Sequence, residues 1–226
     1  LLSRRQRQMC IRDRFISSDL SGTYQSACLA ALDVEEETRK KLYMVDSRSA
    51  SIGTALLIRE AVKLRDAGVN VSDIAAACTE MSKYIKLTAV VGSLKYLKMG
   101  GRLSGAAAFA GTMLHITPVV SIEDGKVVVI GKTRGKKAAE KLMHDKLIKD
   151  GLSLTRDFMF GHINCSESLE TFINKSLTYI SDVNGNVGVS SIGCSVGTHV
   201  GPGTYGIAYV EAAESGMNRE SIVKTA

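Results

Sequence analysis

The hydrophobic residues of this chain change their spacing part-way along the sequence. In the first part, short apolar runs alternate with segments in which apolar residues recur every three or four positions, which is the spacing of one helix face. Strands and helices that alternate in this way predict parallel strands with helices packed on them. The predicted strands are residues 15–16 and 42–45, and the predicted helices are residues 23–32, 52–67 and 73–81.

Farther along, the pattern predicts a different arrangement. Two β-branched runs flank Asp124 and Gly125, which is typical of a β-hairpin. Helices and further strands follow, and such a mixture indicates an α+β domain. The predicted strands here include residues 87–91, 158–163, 187–195 and 206–210, and the predicted helices include residues 135–149 and 167–180.

We therefore expect an α/β protein with two domains. Residues 15–84 would be the remainder of a parallel-sheet α/β domain that lacks its beginning, and residues 85–226 would be an α+β domain. Residues 1–14 differ from both, because they hold five Arg and one Asp and carry most of the net charge of +6. Their end, MCIRDR, resembles translated sequencing-adapter read-through, and we interpret them as a non-native or disordered leader.

The composition favours a globular cytoplasmic protein. Apolar residues make up 45% of the chain and charged residues 23%, and no apolar run reaches the about 18 residues that a membrane-spanning helix needs. The five cysteines form no C-x-x-C pair, which favours reduced thiols over a disulfide framework or a zinc site. The four histidines lack metal-ligand spacing as well, and we expect no metal. Without the leader the charge is nearly balanced, so nucleic acid is not an expected partner.

One short stretch concentrates hydroxyl groups where a predicted strand gives way to a helix. In ISSDLSGTYQSA, the turn contains Ser17, Ser18, Ser21 and Thr23, with Gly22 among them. The first N–H groups of a helix lack partners within it and carry partial positive charge, so a hydroxyl there is usually an N-cap. One cap explains one hydroxyl, whereas four can surround a carboxylate or another oxyanion. The turn indicates either an ordinary cap or an anion-binding site.

Two further polar residues are candidates, each with a structural alternative. His199 lies beside Thr198 in GCSVGTHVGPG, which we predict to be a glycine-rich turn between strands. Arg102 follows two glycines and could bind a carboxylate or phosphate through two hydrogen bonds, cap a helix or face water. The segment GPGTYG matches G-x-G-x-x-G, but a predicted strand follows it instead of a helix, which argues against dinucleotide binding.

Four blocks of sequence, taken in order, give a resemblance to a known family. They are ISSDLSGTYQSA, SLKYLKMGGRLSGAAAFAGTMLHITPVVSIEDGKV, KTRGKKA and GTHVGPGTYGI. Together they resemble the DegV family of bacterial fatty-acid-binding proteins over most of residues 15–210. The resemblance implies two α/β domains with a long-chain fatty acid held between them. It also implies that the acid is presented to a separate fatty-acid kinase, which makes an acyl-phosphate for phospholipid synthesis, and that this chain alone is not an enzyme.

The resemblance further implies roles for individual residues. The serine-rich turn would hold the carboxylate, and the loop of Thr198 and His199 would complete that site. Arg102 would lie near the head group or on the surface that faces the kinase. No cofactor is implied besides the bound fatty acid, and contact with a membrane would be transient. The implied carboxylate-binding residues are Ser17, Ser18, Ser21, Gly22, Thr23, Thr198 and His199, and the implied tunnel residues are Phe109, Met113 and Ile116.

This sequence departs from the family pattern at several places. Asp19 stands where Gly is usual, and its carboxylate would repel a fatty-acid head group unless it points away. Gly92 replaces an acidic residue, and Val200 replaces a Thr. The family's first strand, its Asp-Ser loop and its Thr-Ser loop, with one carboxylate ligand, would precede residue 15.

Two other classes of function stay open. An acyl-transferring enzyme would use Ser17, Ser18 or Ser21 as nucleophile and His199 as base. An interaction domain would bind no ligand.

Overall fold

The computed structural model describes residues 14–103, 116–153, 156–180 and 185–212, which form eight strands and seven helices. The strands are β1 (Arg14–Phe15), β2 (Val45–Asp46), β3 (Ile85–Val90), β4 (Thr117–Glu123), β5 (Lys126–Thr133), β6 (Phe158–His162), β7 (Val187–Ser191) and β8 (Tyr205–Val210). The helices are α1 (Thr23–Thr38), α2 (Ile52–Asp66), α3 (Val71–Met81), α4 (Leu94–Met99), α5 (Lys136–Asp150), α6 (Ser166–Leu177) and α7 (Cys194–Val200).

Six strands form one sheet in the order β5-β4-β3-β8-β6-β7. Neighbouring strands in this sheet are antiparallel, except for the parallel pair β6 and β7. Strands β1 and β2 form a separate parallel pair, in the part of the chain whose pattern predicts parallel strands. The predicted α/β fold is therefore confirmed.

Helices cover both faces of the six-stranded sheet. Successive side chains of a strand point to opposite faces, and on β3 Leu87 and Ala89 belong to a core shared with α2 and α3. The next residue, Val90, belongs to a second core shared with α5 and α6. Helix α2 is held by its apolar stripe, in which Leu56 and Leu57 are fully buried; burial of each such side chain stabilises the fold by about 2 kcal/mol.

The first core contains residues from both sides of the predicted domain boundary at residues 84–85. Leu56 of α2 and Ala208 of β8 lie in the same cluster. Helix α2 therefore packs on the six-stranded sheet as well as beside β1, and α3 packs against α2 and β2. The division into two domains stays a prediction.

A buried network of ion pairs fixes α2 against the end of the sheet. Glu60 is 1% exposed and accepts a 2.7 Å hydrogen bond from Nη1 of Arg156. Nearby, Asp157 pairs with Arg59 at 3.0 Å and with Lys63 at 2.5 Å. Burial acts to raise the pKa of Asp157, but the hydrogen bonds from Lys63, the Asn186 N–H and Arg59 outweigh it and lower that pKa. Pairing of opposite charges compensates the cost of burying this network.

The second core encloses an imidazole. His144 of α5 is 5% exposed and stacks between the rings of Phe172, at 5.1 Å, and Tyr179, at 4.5 Å. Its Nε2 lies 2.9 Å from Oγ of Ser176. Burial lowers the pKa of His144 and outweighs the opposite effect of Glu140. Burial therefore favours the neutral form of this ring.

The structure corrects the prediction of a strand over residues 187–195 followed by a glycine-rich turn. Strand β7 ends at Ser191, and residues 194–200 form α7, so His199 lies on a helix. The N–H of Gly197 donates to the carbonyl of Gly193 at 2.9 Å, which closes a helical turn. The glycines weaken the helical signal of this segment in the sequence, since glycine is a poor helix former. Val196 and Val200 nevertheless have helical spacing.

Within the described ranges, no helix is both long and apolar enough to cross a membrane. The same residues contain no cluster of three His, Cys, Asp or Glu side chains that could hold a metal ion.

Candidate functional site

The serine-rich turn, residues 17–23, is built by its own backbone. The carbonyl of Ser17 accepts hydrogen bonds from the N–H groups of Leu20, at 2.9 Å, and Ser21, at 3.1 Å. Oγ of Ser21 then accepts from the N–H of Thr23 at 3.2 Å and lies 2.7 Å from Oγ1 of Thr23. The turn thus delivers two linked hydroxyls at the start of α1, where helix N–H groups favour negative charge.

Arg102 joins this turn to the end of α4. Its Nε donates to the carbonyl of Leu20 at 3.1 Å, and its Nη1 donates to the carbonyl of Gly100 at 2.6 Å. Both acceptors are backbone groups, so the positive charge of the guanidinium is left without a carboxylate in these two contacts. The side chain is exposed and is therefore accessible to an anion.

His199 packs directly against Gly100. A Cβ at Gly100 would lie 2.2 Å from Nδ1 of His199, so only glycine allows the ring to approach this closely. Since Arg102 also contacts Gly100, the guanidinium and the imidazole share a neighbour. The Leu20 and Gly100 contacts therefore bring the serine-rich turn, Arg102 and His199 into one polar cluster.

A cavity of about 260 Å³ lies beneath this cluster. Its floor is the six-stranded sheet and is apolar, and its roof comes from the serine-rich turn, the start of α2, Arg102 and α7. The floor residues are Leu87, Ala89, Val91, Val120, Ile122, Val127 and Gly206. The polar residues of the wall are Ser21, Thr23, Ser51, Arg102, Ser195, His199 and Thr204.

Comparison with known proteins identifies the family. The family model described as "Uncharacterised protein, DegV family" matches residues 14–212. A DegV domain-containing protein of Clostridium acetobutylicum is 35% identical over 211 residues, which cover 89% of this chain and 69% of the relative. The chain belongs to the DegV family.

Solved structures of DegV proteins share the fold. A DegV family protein from Thermus thermophilus, which is described as binding fatty acid, matches with a TM-score of 0.78 at 26% identity, over 93% of this chain and 75% of that chain. The Streptococcus pneumoniae Fatty Acid Kinase (Fak) B3 protein, solved with linoleic acid, matches with a TM-score of 0.78 at 22% identity. That match covers 88% of this chain and 70% of the other.

The structure places the sequence-predicted residues of this DegV protein in two groups. Ser21, Thr23, Arg102 and His199 lie on the cavity wall. The hydroxyl of Thr198 donates instead to the carbonyl of Ser195 at 3.1 Å. The predicted residues that are not part of the described wall are Ser17, Ser18, Gly22, Thr198 and Ile116, whereas Phe109 and Met113 lie outside the described residues.

Ser17 and Ser18 are engaged elsewhere. Ser17 is fully buried, and its hydroxyl donates to the carbonyl of Gly125 at 2.8 Å. The N–H of Ser18 donates to the carboxylate of Asp46 at 3.3 Å. The hairpin turn at Gly125 thus uses the hydroxyl of Ser17, and the role of Ser17 in binding a carboxylate stays a prediction.

The carboxylate of Asp19 points away from the cavity. It pairs with Nζ of Lys126 at 3.4 Å, and Asp19 is absent from the described wall. Asp19 therefore has the outward orientation that would avoid repulsion of a head group. Val200, another departure from the family pattern, contributes an apolar side chain to the wall.

Three polar wall residues are not among the site residues predicted from the sequence: Ser51, Ser195 and Thr204. Ser51 precedes the first turn of α2 and has φ of 49° and ψ of −116°, a strained backbone conformation for a residue with a Cβ. The serine-rich segment DSRSAS, at the end of a predicted strand, is the local sequence signal for Ser51. Ser195 lies on α7 and Thr204 follows it. Neither could be placed at the site because the glycines weaken the sequence signal of this helix.

Proposed function

We propose that this DegV protein binds one long-chain fatty acid, with the acyl chain in the cavity and the carboxylate at the serine-rich turn and the Thr198–His199 segment. Within that site, Ser21, Thr23, Arg102 and His199 contact the carboxylate directly. The other predicted carboxylate-site residues, Ser17, Ser18, Gly22 and Thr198, support the backbone of these segments. The observation that carries the proposal is the apolar cavity roofed by a polar cluster.

The apolar floor accounts for the tail. Each methylene buried in an apolar site contributes about 0.8 kcal/mol, so a chain of about sixteen carbons gains on the order of 10 kcal/mol before the costs of association. Strands β3, β4, β5 and β8 all contribute to this floor. Ala89 leaves room for the tail, since a larger side chain there would fill the space. Gly206 is required instead by the close approach of β3, because a Cβ there would lie 2.3 Å from the carbonyl oxygen of Thr88.

The polar roof accounts for the head group. A buried carboxylate costs several kcal/mol unless hydrogen bonds or charges compensate it. Hydroxyls of Ser21 and Thr23 can donate hydrogen bonds, and the guanidinium of Arg102 supplies positive charge. Such donors favour an acid over a neutral lipid of equal length.

Presentation of the carboxylate to a fatty-acid kinase is the second half of the proposal. Arg102 is exposed and contacts the serine-rich turn, so the head group would lie at the surface. The kinase would then transfer a phosphoryl group to the carboxylate and form an acyl-phosphate. This chain supplies binding and orientation in that reaction.

The geometry does not favour an acyl-transferring enzyme. In the described part of the chain, no serine hydroxyl hydrogen-bonds to the ring of His199. Ser17 donates to a backbone carbonyl, and Ser21 is paired with Thr23. A nucleophilic serine needs a base within hydrogen-bond reach.

Calorimetric titration with matched ligands tests the proposal. Palmitic acid should bind, whereas hexadecanol should bind at least about tenfold more weakly because it lacks the charge, and butyric acid should not bind because it lacks the tail. Equal binding of the acid and the alcohol would refute the carboxylate site. No binding of any of the three would favour an interaction domain without a ligand.

A further inference from the structure

The turn between β4 and β5 contacts the roof of the cavity at three places. Oγ of Ser17 donates to the carbonyl of Gly125 at 2.8 Å. Nη2 of Arg48 donates to Oδ1 of Asp124 at 3.0 Å, and Nζ of Lys126 lies 3.4 Å from Oδ1 of Asp19. Three consecutive residues of the turn thus hold the two loops that carry the polar wall residues Ser21 and Ser51.

The turn has a backbone conformation that few residue types adopt. Asp124 and Gly125 have φ values of 46° and 80°, and positive φ at both central residues is the conformation that suits a two-residue hairpin. A Cβ at Gly125 would lie 2.6 Å from Oγ of Ser17. Glycine is therefore required both by the backbone and by the approach of Ser17.

Of the three contacts, the hydrogen bond of Ser17 is the strongest restraint. Ser17 is 0% exposed, and a buried group that loses its partner is costly. The side chain of Asp124 is 95% exposed, and exposed ion pairs contribute little. Ser17 also anchors the turn on its other side, because its N–H donates to the carbonyl of Ser49 at 2.8 Å.

We propose that the β4–β5 turn positions the roof of the cavity, and that Ser17 is a positioning residue that holds Ser21 and Thr23 over the ligand without touching it. The inference rests on the proposed function, since it assigns to the hairpin control of the rate at which the bound acid dissociates. Loss of the Ser17 contact frees the serine-rich turn, and the ligand then dissociates faster.

Two measurements on Ser17→Ala test this. Dissociation of the fluorescent fatty acid cis-parinaric acid should become about tenfold faster than in the wild type. Hydrogen exchange at the amides of Leu20 and Ser21, which donate to the carbonyl of Ser17, should accelerate without ligand. Ser176→Ala is the matched control, since Ser176 is a buried serine that donates to a carbonyl in α6; it should lower stability and leave both readouts unchanged.

A charge exchange tests the same idea on the surface, should Ser17→Ala fail to fold. Arg48→Asp should raise the dissociation rate about two- to threefold, and adding Asp124→Arg should restore it. Failure of both variants to change either readout overturns the inference. If the wild type does not bind the probe, the proposed function fails, and the exchange rates of Leu20 and Ser21 still decide whether the hairpin positions the turn.

Discussion

Nε of Arg102 donates a 3.1 Å hydrogen bond to the carbonyl of Leu20, a residue 82 positions earlier in the chain. This contact brings the positive charge that follows α4 next to the hydroxyls of the serine-rich turn. The apolar cavity begins beneath the same residues. One long-range contact therefore joins the two chemical features that a fatty acid needs.

Replacement of Arg102 should weaken binding of the carboxylate. Arg102→Gln keeps polar contacts but removes the charge, and the dissociation constant for palmitic acid should rise about tenfold. Binding of hexadecanol should not change. Lys149→Gln, on α5 and absent from the described wall, is the control and should leave both affinities unaltered.

Gly100→Ala should displace the ring of His199. The new Cβ would lie 2.2 Å from Nδ1 of the imidazole, a separation that atoms do not tolerate. The affinity for palmitic acid should fall, while the midpoint of thermal unfolding should change little because Gly100 has an ordinary φ of −76°.

The control is Gly193→Ala. A Cβ there meets nothing within 4 Å, and φ is −65°, so binding should be retained. Equal effects of the two alanine variants would contradict a role for the position of His199.

Ala89→Leu should fill part of the cavity floor. Ala89 belongs to the described wall, so a larger side chain would occupy the volume of about three methylenes. The preferred acyl chain should become shorter by about that number of carbons. Displacement titrations with saturated acids of increasing length measure this preference, and an unchanged preference would show that the tail lies elsewhere.

The stability of the fold should fall as the pH decreases through the ordinary pKa of histidine. Burial lowers the pKa of His144 below its usual value of 6.5, so the unfolded chain binds this proton more readily than the folded chain. The contribution of His144 is present above pH about 6.5 and is lost on acidification. Urea unfolding at about pH 7.5 and about pH 5.5 measures the difference.

His144→Gln removes the ionisable group and keeps a polar side chain near Ser176. The fall in stability over this pH range should be smaller in the variant. A fall of the same size as in the wild type would show that other groups cause it.

The elements with local signals could be predicted from the sequence. The helical spacing around residue 23 and the turn at Asp124–Gly125 correspond to α1 and to the β4–β5 hairpin. Family resemblance implied Ser21, Thr23, Arg102 and His199 as site residues, and all four lie on the cavity wall. Hydroxyls at a strand-to-helix turn and glycines before an arginine are patterns among residues that are close in the sequence, so they can be found without the structure.

Features that depend on distant contacts could not be predicted. Ser17 and Gly125 are 108 residues apart, so nothing near Ser17 indicates that its hydroxyl is engaged. In the six-stranded sheet, β3 pairs with β8, although most of the chain's length separates these two strands in the sequence. Helix α7 was missed because glycine weakens its helical pattern, and Ser195 was missed with it.

Native mass spectrometry of the protein purified from bacteria tests the central claim most directly. The spectrum should contain a species heavier than the chain by the mass of one long-chain fatty acid, and this added mass should be lost completely when the protein is denatured. A protein that carries no lipid and takes up none when palmitic acid is added would contradict the account. An added mass that survives denaturation would contradict it too, because it would indicate a covalent acyl-enzyme.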